Sequence, residues 1–400
     1  MLQFSEKFRV LAAGVLGLVI TMGVARFAYT PLLGIMQQHT DLSLAAGGWL
    51  AALNYVGYLS GAIIASLISD LQLKDRLFRL GLLVAVATTL MMGLSDDLWV
   101  WAVSRFFAGL SSAAGMLLGS GLVLNWLLRN GQRGELGIHF GGIGLGIACC
   151  AILVEVTVRF ADWQQQWYLL TLLALVLTVL TWRWMPAPDT SGMTTSGKPM
   201  PDNPPGKLFF WVFMAAYFCA GIGYAVSATF ISAIVEALPG MQGQGSITFM
   251  LVGLGAMPAC FIWDRIARST GDVYALLLAC LLQIIGIMLP LFGNSLWFAL
   301  SGAALFGATF VGMVSLVLAM AGRYYPTRPA KMMGRMTISY GVAQIVAPAA
   351  TGWLAGSSGS YAQGLYLAAG MMLLGAVLLV WLKLLERHQS KLQGVASSIS

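Results

Sequence analysis

The stretch Val273–Gly322 reads VYALLLACLLQIIGIMLPLFGNSLWFALSGAALFGATFVGMVSLVLAMAG and contains no charged residue. A helix needs about 20 apolar residues to cross the roughly 30 Å hydrocarbon core of a bilayer, so this stretch is too long for one membrane span. It is interrupted by Gly293, Asn294 and Ser295, which are residue types typical of turns. The stretch therefore predicts two membrane-spanning helices joined by a turn.

The rest of the 400-residue chain has the same character, with 58% hydrophobic and only 9% charged residues. Soluble domains contain about 25% charged residues, and disordered or collagen-like chains have quite different compositions. The five cysteines all lie in apolar stretches, so we interpret them as small core residues rather than metal ligands or disulfide partners. This composition indicates a multi-pass membrane protein.

Apolar runs of spanning length recur along the chain and predict twelve transmembrane helices, an all-α membrane protein. Between the sixth and seventh runs, the segment 186–207 holds six of the 13 prolines and predicts a flexible linker. We therefore expect an N-terminal six-helix bundle in 1–185, a cytoplasmic linker in 186–207, a C-terminal six-helix bundle in 208–385 and a cytoplasmic tail in 386–400. The runs lie near 10–36, 44–69, 77–95, 98–125, 136–158, 166–185, 208–236, 246–263, 273–292, 296–321, 335–355 and 364–382.

The lysines and arginines fall in alternate loops, as expected if those loops are cytoplasmic. Of the 22 basic residues, all but Arg26, Arg105 and Arg159 lie in these loops or in the termini. The alternation stays in phase to the end of the chain, which a wrong span count would disturb. It predicts that both termini are cytoplasmic. The formal charge of +7 is then a signal of topology, and we expect no nucleic-acid partner.

Two of the basic loops carry similar charge patterns. Asp70 precedes Lys74 in the first, and Asp264 precedes Arg265 and Arg268 in the second. An acid at a helix end followed by basic residues can form a charge-assisted clasp between neighbouring helix ends. The alternative is an ordinary basic loop with a stray acid. Recurrence at equivalent places in the two halves favours a clasp formed by Asp70, Asp264, Arg265 and Arg268.

These loops and the six-plus-six arrangement resemble the major facilitator superfamily with its Gly-x-x-x-Asp-Arg-x-Gly-Arg-Arg signature, of which the first copy keeps only Asp70. The segments Gly23–Leu33 (GVARFAYTPLL) and 325–352 resemble, more narrowly, the YbfB/YjiJ-type branch. The resemblance implies a secondary transporter of the bacterial inner membrane that moves a small solute by alternating access. It also implies efflux as the expected direction of transport.

Arg26 and Arg105 are the arginines within predicted spans, and both are expected in the outer half of the membrane. A buried arginine costs at least about 2.5 kcal/mol and does not deprotonate, so each needs water or a partner. The partner could be Glu155 or Glu236 in an internal ion pair, or a solute. For Arg105 the ion pair and the solute contact are equally supported, whereas for Arg26 a functional role is favoured. A cavity with two arginines and few acids would bind an anionic or carboxyl-bearing solute.

Other polar residues within the spans are as compatible with hydrogen bonds between helices as with solute contact. Glu155 and Glu236 are candidates for proton coupling, although neither lies at the expected membrane midplane. The further candidates for solute binding are Tyr29, Asn54, Tyr58, Tyr217, Tyr224 and Gln344.

Enzyme function is not expected, because the sequence has no phosphate-binding glycine loop with lysine, no metal-spaced His/Cys cluster and no soluble domain. We therefore expect no cofactor and no metal, and a chain that acts as a monomer with a small-molecule substrate. The alternative function is a membrane sensor or receptor that keeps a transporter scaffold without transport. A channel is disfavoured because no ring of charges or filter-like segment occurs.

Overall fold

The computed structural model describes residues 5–68, 70–130, 136–188, 204–293, 295–324 and 329–399, and the regular secondary structure within them is helical. Twelve helical segments follow one another in the chain. In the first half, α1 is Glu6–His39, α2 Leu44–Leu67, α3 Leu71–Leu94, α4 Leu98–Ala113 with Ala114–Gly119 and Ser120–Arg129, α5 Leu136–Thr157 and α6 Trp163–Trp184. In the second half, α7 is Lys207–Ala237, α8 Gly245–Ala256 with Ala259–Thr270, α9 Asp272–Leu291, α10 Leu296–Tyr324, α11 Pro329–Ser358 and α12 Ala362–Ile399.

The helix lengths agree with the predicted membrane spans. Ten described helices are long and apolar enough to cross a bilayer, and the two pieces of α8, bent by 45° around Pro258, are long and apolar enough only when taken together. The remaining helix, α11, is less apolar, but its 30 residues extend about 45 Å. The predicted fold class, an all-α membrane protein of twelve helices, is confirmed.

The domain boundaries remain a prediction, and the ends of the described helices lie near some of them. Most of the predicted linker, residues 189–203, lies outside the described residues. Helix α7 begins at Lys207, within one residue of the predicted start of the second bundle. Helix α12 continues to Ile399, so the predicted tail 386–400 begins as an extension of the last helix.

The two halves pack in the same way. Within the first half α2 packs on α4, α3 on α4 and α6, and α1 on α5; within the second half α8 packs on α10, α9 on α10 and α12, and α7 on α11. The close glycine contacts repeat with a constant shift of 198 in residue number. They are Gly57 with Phe106 and Gly109 with Asn54 in the first half, and Gly255 with Ala304 and Gly307 with Val252 in the second.

The halves meet along α2 with α11 and along α5 with α8, with α1 against α7 between them. Glycines permit close approach at both long contacts. A Cβ added to Gly48 would lie 2.7 Å from the Cα of Gly352, and one added to Gly144 would lie 2.6 Å from the carbonyl oxygen of Gly253. Small residues are the usual way for helices to approach closely where lipid removes most of the hydrophobic driving force.

Helix α1 is interrupted by a π-helical segment, Val19–Phe27, which the sequence analysis did not predict. The segment ends four residues before Pro31, whose ring clashes with the carbonyl of the residue four positions earlier in a regular α-helix. The backbone N–H of Ala28 instead bonds to the carbonyl of Gly23 at 2.9 Å. A second π segment, Ala114–Gly119 in α4, lies against the first. Such segments occur frequently at functional sites.

Candidate functional site

A cavity of about 400 Å³ lies between the two halves and is the candidate solute site. Its walls come from α1, α2, α4 and α5 of the first half and from α7, α8, α10 and α11 of the second. It extends from Arg26 to Leu136 and Gly137 at the start of α5 and to Ala319 near the end of α10. We call it the central cavity. We call the side to which it extends the basic end, because the helix ends there carry Arg9, Lys74, Arg183, Lys207 and Arg268.

Arg26 lies in the π segment of α1 and presents its guanidinium group to the central cavity. The side chain is only 4% exposed. Its Nη2 donates to the Oε1 of Gln344 at 3.1 Å and more weakly to the hydroxyl of Tyr224 at 3.5 Å. Its Nε and Nη1 have no hydrogen-bond partner among the described residues. A buried guanidinium with two unpaired nitrogens is a site prepared for an acceptor.

Aromatic rings surround the cation. The guanidinium carbon of Arg26 lies 4.5 Å from the ring centre of Tyr55 and 4.4 Å from that of Tyr58. The ring faces attract a positive charge, and this attraction offsets part of the cost of burying it. The contacts therefore hold a charged side chain inside the membrane without an acidic partner, and no acid occurs among the described residues that line the central cavity.

A stack of aromatic side chains forms the opposite wall. Tyr217 and Tyr340 stack with ring centres 4.5 Å apart, and Tyr340 stacks on Tyr224 at 5.5 Å. Tyr224 stacks in turn on Phe310 at 5.2 Å. Tyr340 and Phe310 were missed by the sequence analysis. Tyr340 could have been found, since it precedes Gln344 by four residues and so lies on the same helix face.

Arg105 has a different role from Arg26 in this structure. Its Nη1 donates to the carbonyl of Ala25 at 2.9 Å and its Nη2 to the carbonyl of Arg26 at 3.3 Å. Its guanidinium also lies 4.5 Å from the ring centre of Tyr29. Both acceptors lie in the π segment of α1, so Arg105 bonds the backbone that carries Arg26.

Tyr29 and Asn54 join Arg105 in this second cluster. The hydroxyl of Tyr29 donates to the carbonyl of Gly47 at 3.0 Å, and the amide of Asn54 donates to the carbonyl of Arg105 at 2.9 Å. The three residues line a cleft of about 10 Å³, too small for a solute, and not the central cavity. Of the predicted binding residues, the structure therefore brings Arg26, Tyr58, Tyr217, Tyr224 and Gln344 together around one cavity.

The side of the bundle opposite the basic end is closed by contacts between the halves. The hydroxyl of Thr30 donates to the carbonyl of Ala228 at 2.6 Å. The hydroxyl of Tyr361 accepts from the Nε2 of Gln37 at 2.7 Å and donates to the carbonyl of Leu44 at 2.8 Å. The ring of Tyr361 stacks on Phe230 with centres 4.3 Å apart. The central cavity is thus sealed on one side and extends toward the other.

The two glutamates expected to couple protons lie at the sealed side, away from Arg26. Glu236 accepts from the backbone N–H groups of Gly243 at 2.7 Å and Gly245 at 2.7 Å, which orders the turn before α8. Glu155 is half-buried near the end of α5, with Arg159 and Glu236 as its charged neighbours. The ion-pair alternative for Arg26 and Arg105 is not formed, because the contacts of both in the described structure are with neutral groups.

The acids of the expected clasp make local contacts here. Asp70 caps the start of α3, where its carboxylate accepts from the backbone N–H groups of Gln72 at 3.0 Å and Leu73 at 3.3 Å. Asp264 pairs with Arg268 one turn further along α8 at 2.6 Å. Arg265 is exposed on the same helix. In this conformation each acid stabilises its own helix, and a clasp between helices remains a prediction.

Comparison with known proteins gives a consistent result. A family model described as the uncharacterised MFS-type transporter YbfB matches residues 18–380. The uncharacterized MFS-type transporter YceJ of Bacillus subtilis (strain 168) is 25% identical over 290 residues, which are 69% of this chain and 72% of that protein.

Solved structures with the same fold include crystal structures of the nucleoside transporter NupG. A point mutant superposes with a TM-score of 0.74 at 10% identity, covering 94% of this chain and 100% of that chain. The unsubstituted protein superposes with a TM-score of 0.72 at 11% identity, covering 95% and 99%. At these identities the likeness concerns the fold alone.

Proposed function

The chain belongs to the family of MFS-type transporters described by the YbfB model, a transporter class rather than an enzyme class, and from this premise we propose how it works. It is a secondary transporter that moves a small carboxyl-bearing solute through the central cavity by alternating access. The basic end faces the cytoplasm of a bacterial cell, and the protein resides in the inner membrane. The conformation described above is then inward-facing.

Arg26 is the observation that carries the substrate class. Its Nε and Nη1 lack acceptors although the side chain is almost fully buried. A carboxylate can accept in parallel from Nη1 and Nη2 at the end of a guanidinium, or from Nε and Nη2 along its side, and charge-assisted bonds of this kind are roughly twice as strong as neutral ones. A bound carboxylate would therefore give a partner to one of the two unpaired nitrogens, bond to Nη2 as well, and neutralise the charge.

The remainder of the solute is expected to be apolar and flat. Tyr217, Tyr340 and Phe310 line the central cavity with their rings, and Met22 and Val314 add aliphatic surface. Offset or edge-on ring contacts contribute about 0.5–1.5 kcal/mol each beyond burial. A cavity of about 400 Å³ with a single cation among its described lining residues suits a monocarboxylate with an aromatic or other apolar body, and disfavours dianions and amines.

Alternating access requires the sealed side to open while the basic end closes. The bonds of Thr30 with Ala228 and of Tyr361 with Leu44 would break in that step. The long glycine-lined contacts of α2 with α11 and of α5 with α8 provide the surfaces on which the halves rotate. Because Arg26 bonds to Tyr224 and Gln344 of the other half, a solute that replaces these contacts would favour the exchange between conformations.

The driving force that we propose is a proton gradient, with export as the direction. Glu155 is the coupling candidate, since the carboxylate of Glu236 is occupied by backbone N–H groups. The test is flux in proteoliposomes with and without an imposed pH gradient. Equal fluxes under both conditions would contradict coupling to protons and leave the solute class untouched.

The solute class is tested by ligand-induced thermal stabilisation of the purified protein. We expect aromatic monocarboxylates to raise the thermal midpoint, and their amides, matched amines and neutral nucleosides to have no effect. At a solute concentration near the wild-type Kd, Arg26→Gln should abolish the response, whereas Arg159→Gln, which removes an exposed arginine far from the cavity, should keep it. A carboxylate response that survives in Arg26→Gln, or stabilisation by nucleosides alone, would overturn the assignment.

A further inference from the structure

A second cavity, of about 250 Å³, lies on the outer surface of the first half, and we call it the lateral slot. Helices α2 and α3 form its walls and α4 its floor. Ile64, Leu80 and Phe107 at its rim are 52%, 53% and 46% exposed, so the slot faces the surrounding membrane. Ser111 is the one polar side chain among its described lining residues, and its hydroxyl donates to the carbonyl of Ala108 at 2.7 Å. The slot is therefore an apolar space with no unmet hydrogen bond.

The slot exists because α2 and α3 each pack onto α4 rather than onto each other. A Cβ added to Gly61 would lie 2.6 Å from the Cβ of Ala113, and one added to Gly81 would lie 2.6 Å from the Cβ of Ala114. These small residues allow α2 and α3 each to pack closely on α4, at separate places. The space between them is left without side chains to fill it.

The second half shows what fills the equivalent space. The shift of 198 residues that relates the halves places Ala65 at the position of Trp263 and Ala114 at the position of Gly312. Trp263 is 3% exposed and lies so close over Gly312 that a Cβ there would be 1.9 Å from its ring. The indole of Trp263 therefore occupies the position that the first half leaves to two alanines.

We propose that the lateral slot binds one acyl chain of an anionic phospholipid from the leaflet at the basic end. Ile68 and Leu77 mark the basic end of the slot, and Lys74 and Arg76 lie within one turn of Leu77 on α3. Interfacial basic residues of this kind recognise anionic headgroups. Two acids lie nearby: Asp75 is paired with Arg79 at 2.9 Å, and the carboxylate of Asp70 accepts from backbone N–H groups at the start of α3, so with Lys74 and Arg76 the local charge remains positive.

Arg79 is not part of the proposed headgroup site. Its Nη1 donates to the carbonyl of Trp182 at 3.1 Å and its Nη2 to the carbonyl of Met185 at 3.0 Å, which ties α3 to the end of α6. Lys74 and Arg76 remain as the positive groups of the first turns of α3. The acyl chain in the slot and the headgroup at Lys74 and Arg76 would together act as one ligand that holds α2 and α3 against α4.

Native mass spectrometry of the detergent-purified protein, titrated with phosphatidylglycerol or phosphatidylcholine, tests the slot. We expect one tightly retained phosphatidylglycerol on the wild type and at least tenfold less on Ala65→Trp, which supplies the indole of the second half. The double variant Ala65→Trp with Ala114→Gly reproduces the pair Trp263 and Gly312, and it keeps the test valid if the single variant folds poorly. Ala87→Trp, at an exposed position of α3 outside the slot, is the control and should retain the lipid. Equal retention by the folded slot variants and the wild type would overturn the proposal.

Headgroup selectivity is a separate readout. Lys74→Gln combined with Arg76→Gln should abolish the preference for phosphatidylglycerol over phosphatidylcholine and keep the apolar slot open. Arg183→Gln, an exposed arginine at the same end on α6, should leave the preference unchanged. Equal binding of both lipids by the wild type would show an unselective apolar surface and would also contradict the proposal.

Discussion

The two halves have the same helix packing but carry different chemistry at equivalent positions. When residues of the two halves are paired by the shift of 198 positions, four polar residues at the centre of the first half correspond to smaller or less polar residues in the second. A repeated scaffold has thus kept the contacts that set helix geometry and varied the central residues, of which Arg26, Tyr58 and Tyr224 line the central cavity. A solute with a charged part and an apolar part would be held by its charge in one half and by its rings in the other. The paired positions are Arg26 and Tyr224, Asn54 and Val252, Tyr58 and Ala256, and Arg105 and Ala303.

The largest expected effect concerns the space that the halves fill differently. Trp263→Ala would leave a cavity over Gly312 and leave the carbonyl of Ala308 without its bond from the indole N–H. Replacing a buried tryptophan by alanine typically costs about 3–5 kcal/mol. We expect a clear loss of thermal stability in detergent, whereas Ala65→Trp should cost little because the slot has room. Equal stability of Trp263→Ala and wild type would mean that the two halves do not differ as described.

The second prediction separates the two buried arginines. Arg105→Leu leaves the carbonyls of Ala25 and Arg26 without side-chain donors, at about 1–3 kcal/mol for each unpaired group. Arg26→Leu removes a buried charge whose contacts are incomplete, so folded yield should change little while carboxylate binding is lost. Size-exclusion profiles and thermal midpoints of the two variants test this. A fold that tolerates Arg105→Leu and fails with Arg26→Leu would reverse the two roles.

The third prediction moves the cation to the other half. Arg26→Gln alone should weaken binding of an aromatic monocarboxylate by about 10- to 100-fold, as expected from about 1.5–3 kcal/mol for a lost charged hydrogen bond. Adding Tyr224→Arg places a guanidinium at the equivalent position, and the two side chains are already in contact at 3.5 Å. We expect part of the affinity to return. If affinity does not return in a folded double variant, the tyrosines around Arg26 contribute more to binding than a positive charge at this depth in the membrane.

The fold was predictable from the sequence because the bilayer sets the length of each helix and the side on which basic residues gather. The uncharged stretch Val273–Gly322 became α9 and α10, with the turn near Gly293 where glycine and serine indicated it. The major facilitator resemblance, based on the loop charges and two segments, was also correct. These signals are local or periodic, so they can be seen without knowing which helices touch.

The site was predictable in composition but not in arrangement. Arg26 and Arg105 look alike in sequence, and only the packing of α4 on α1 turns one toward the central cavity and the other toward backbone carbonyls. The π segment that carries Arg26 packs against α4 where Thr21 meets Gly115, and these two residues are far apart in the chain. The bonds of Glu236 to the turn before α8 likewise depend on a tertiary approach that periodicity does not reveal.

The fourth prediction concerns the sealed side. Tyr361→Phe removes one donated and one accepted hydrogen bond and keeps the ring stack on Phe230. At about 1 kcal/mol for each bond, the ratio of inward-facing to outward-facing protein should fall by up to roughly 30-fold. Cys260 lines the central cavity, so its labelling by a membrane-impermeant thiol reagent from the cytoplasmic side should slow. Cys260→Ser supplies the background labelling, and an unchanged rate in Tyr361→Phe would contradict a role for these bonds in the seal.

The smallest expected effect is that of Asp264→Asn. The pair of Asp264 with Arg268 lies on the surface, with side chains 57% and 78% exposed, and such pairs contribute about 0–1 kcal/mol. The thermal midpoint of the inward-facing protein should therefore stay close to that of the wild type. Its labelling at Cys260 is the sharper measurement, because a clasp between helices would form only when the basic end closes. Faster labelling of Asp264→Asn at unchanged stability would show that this acid holds the outward-facing state, and an unchanged rate would limit Asp264 to its own helix.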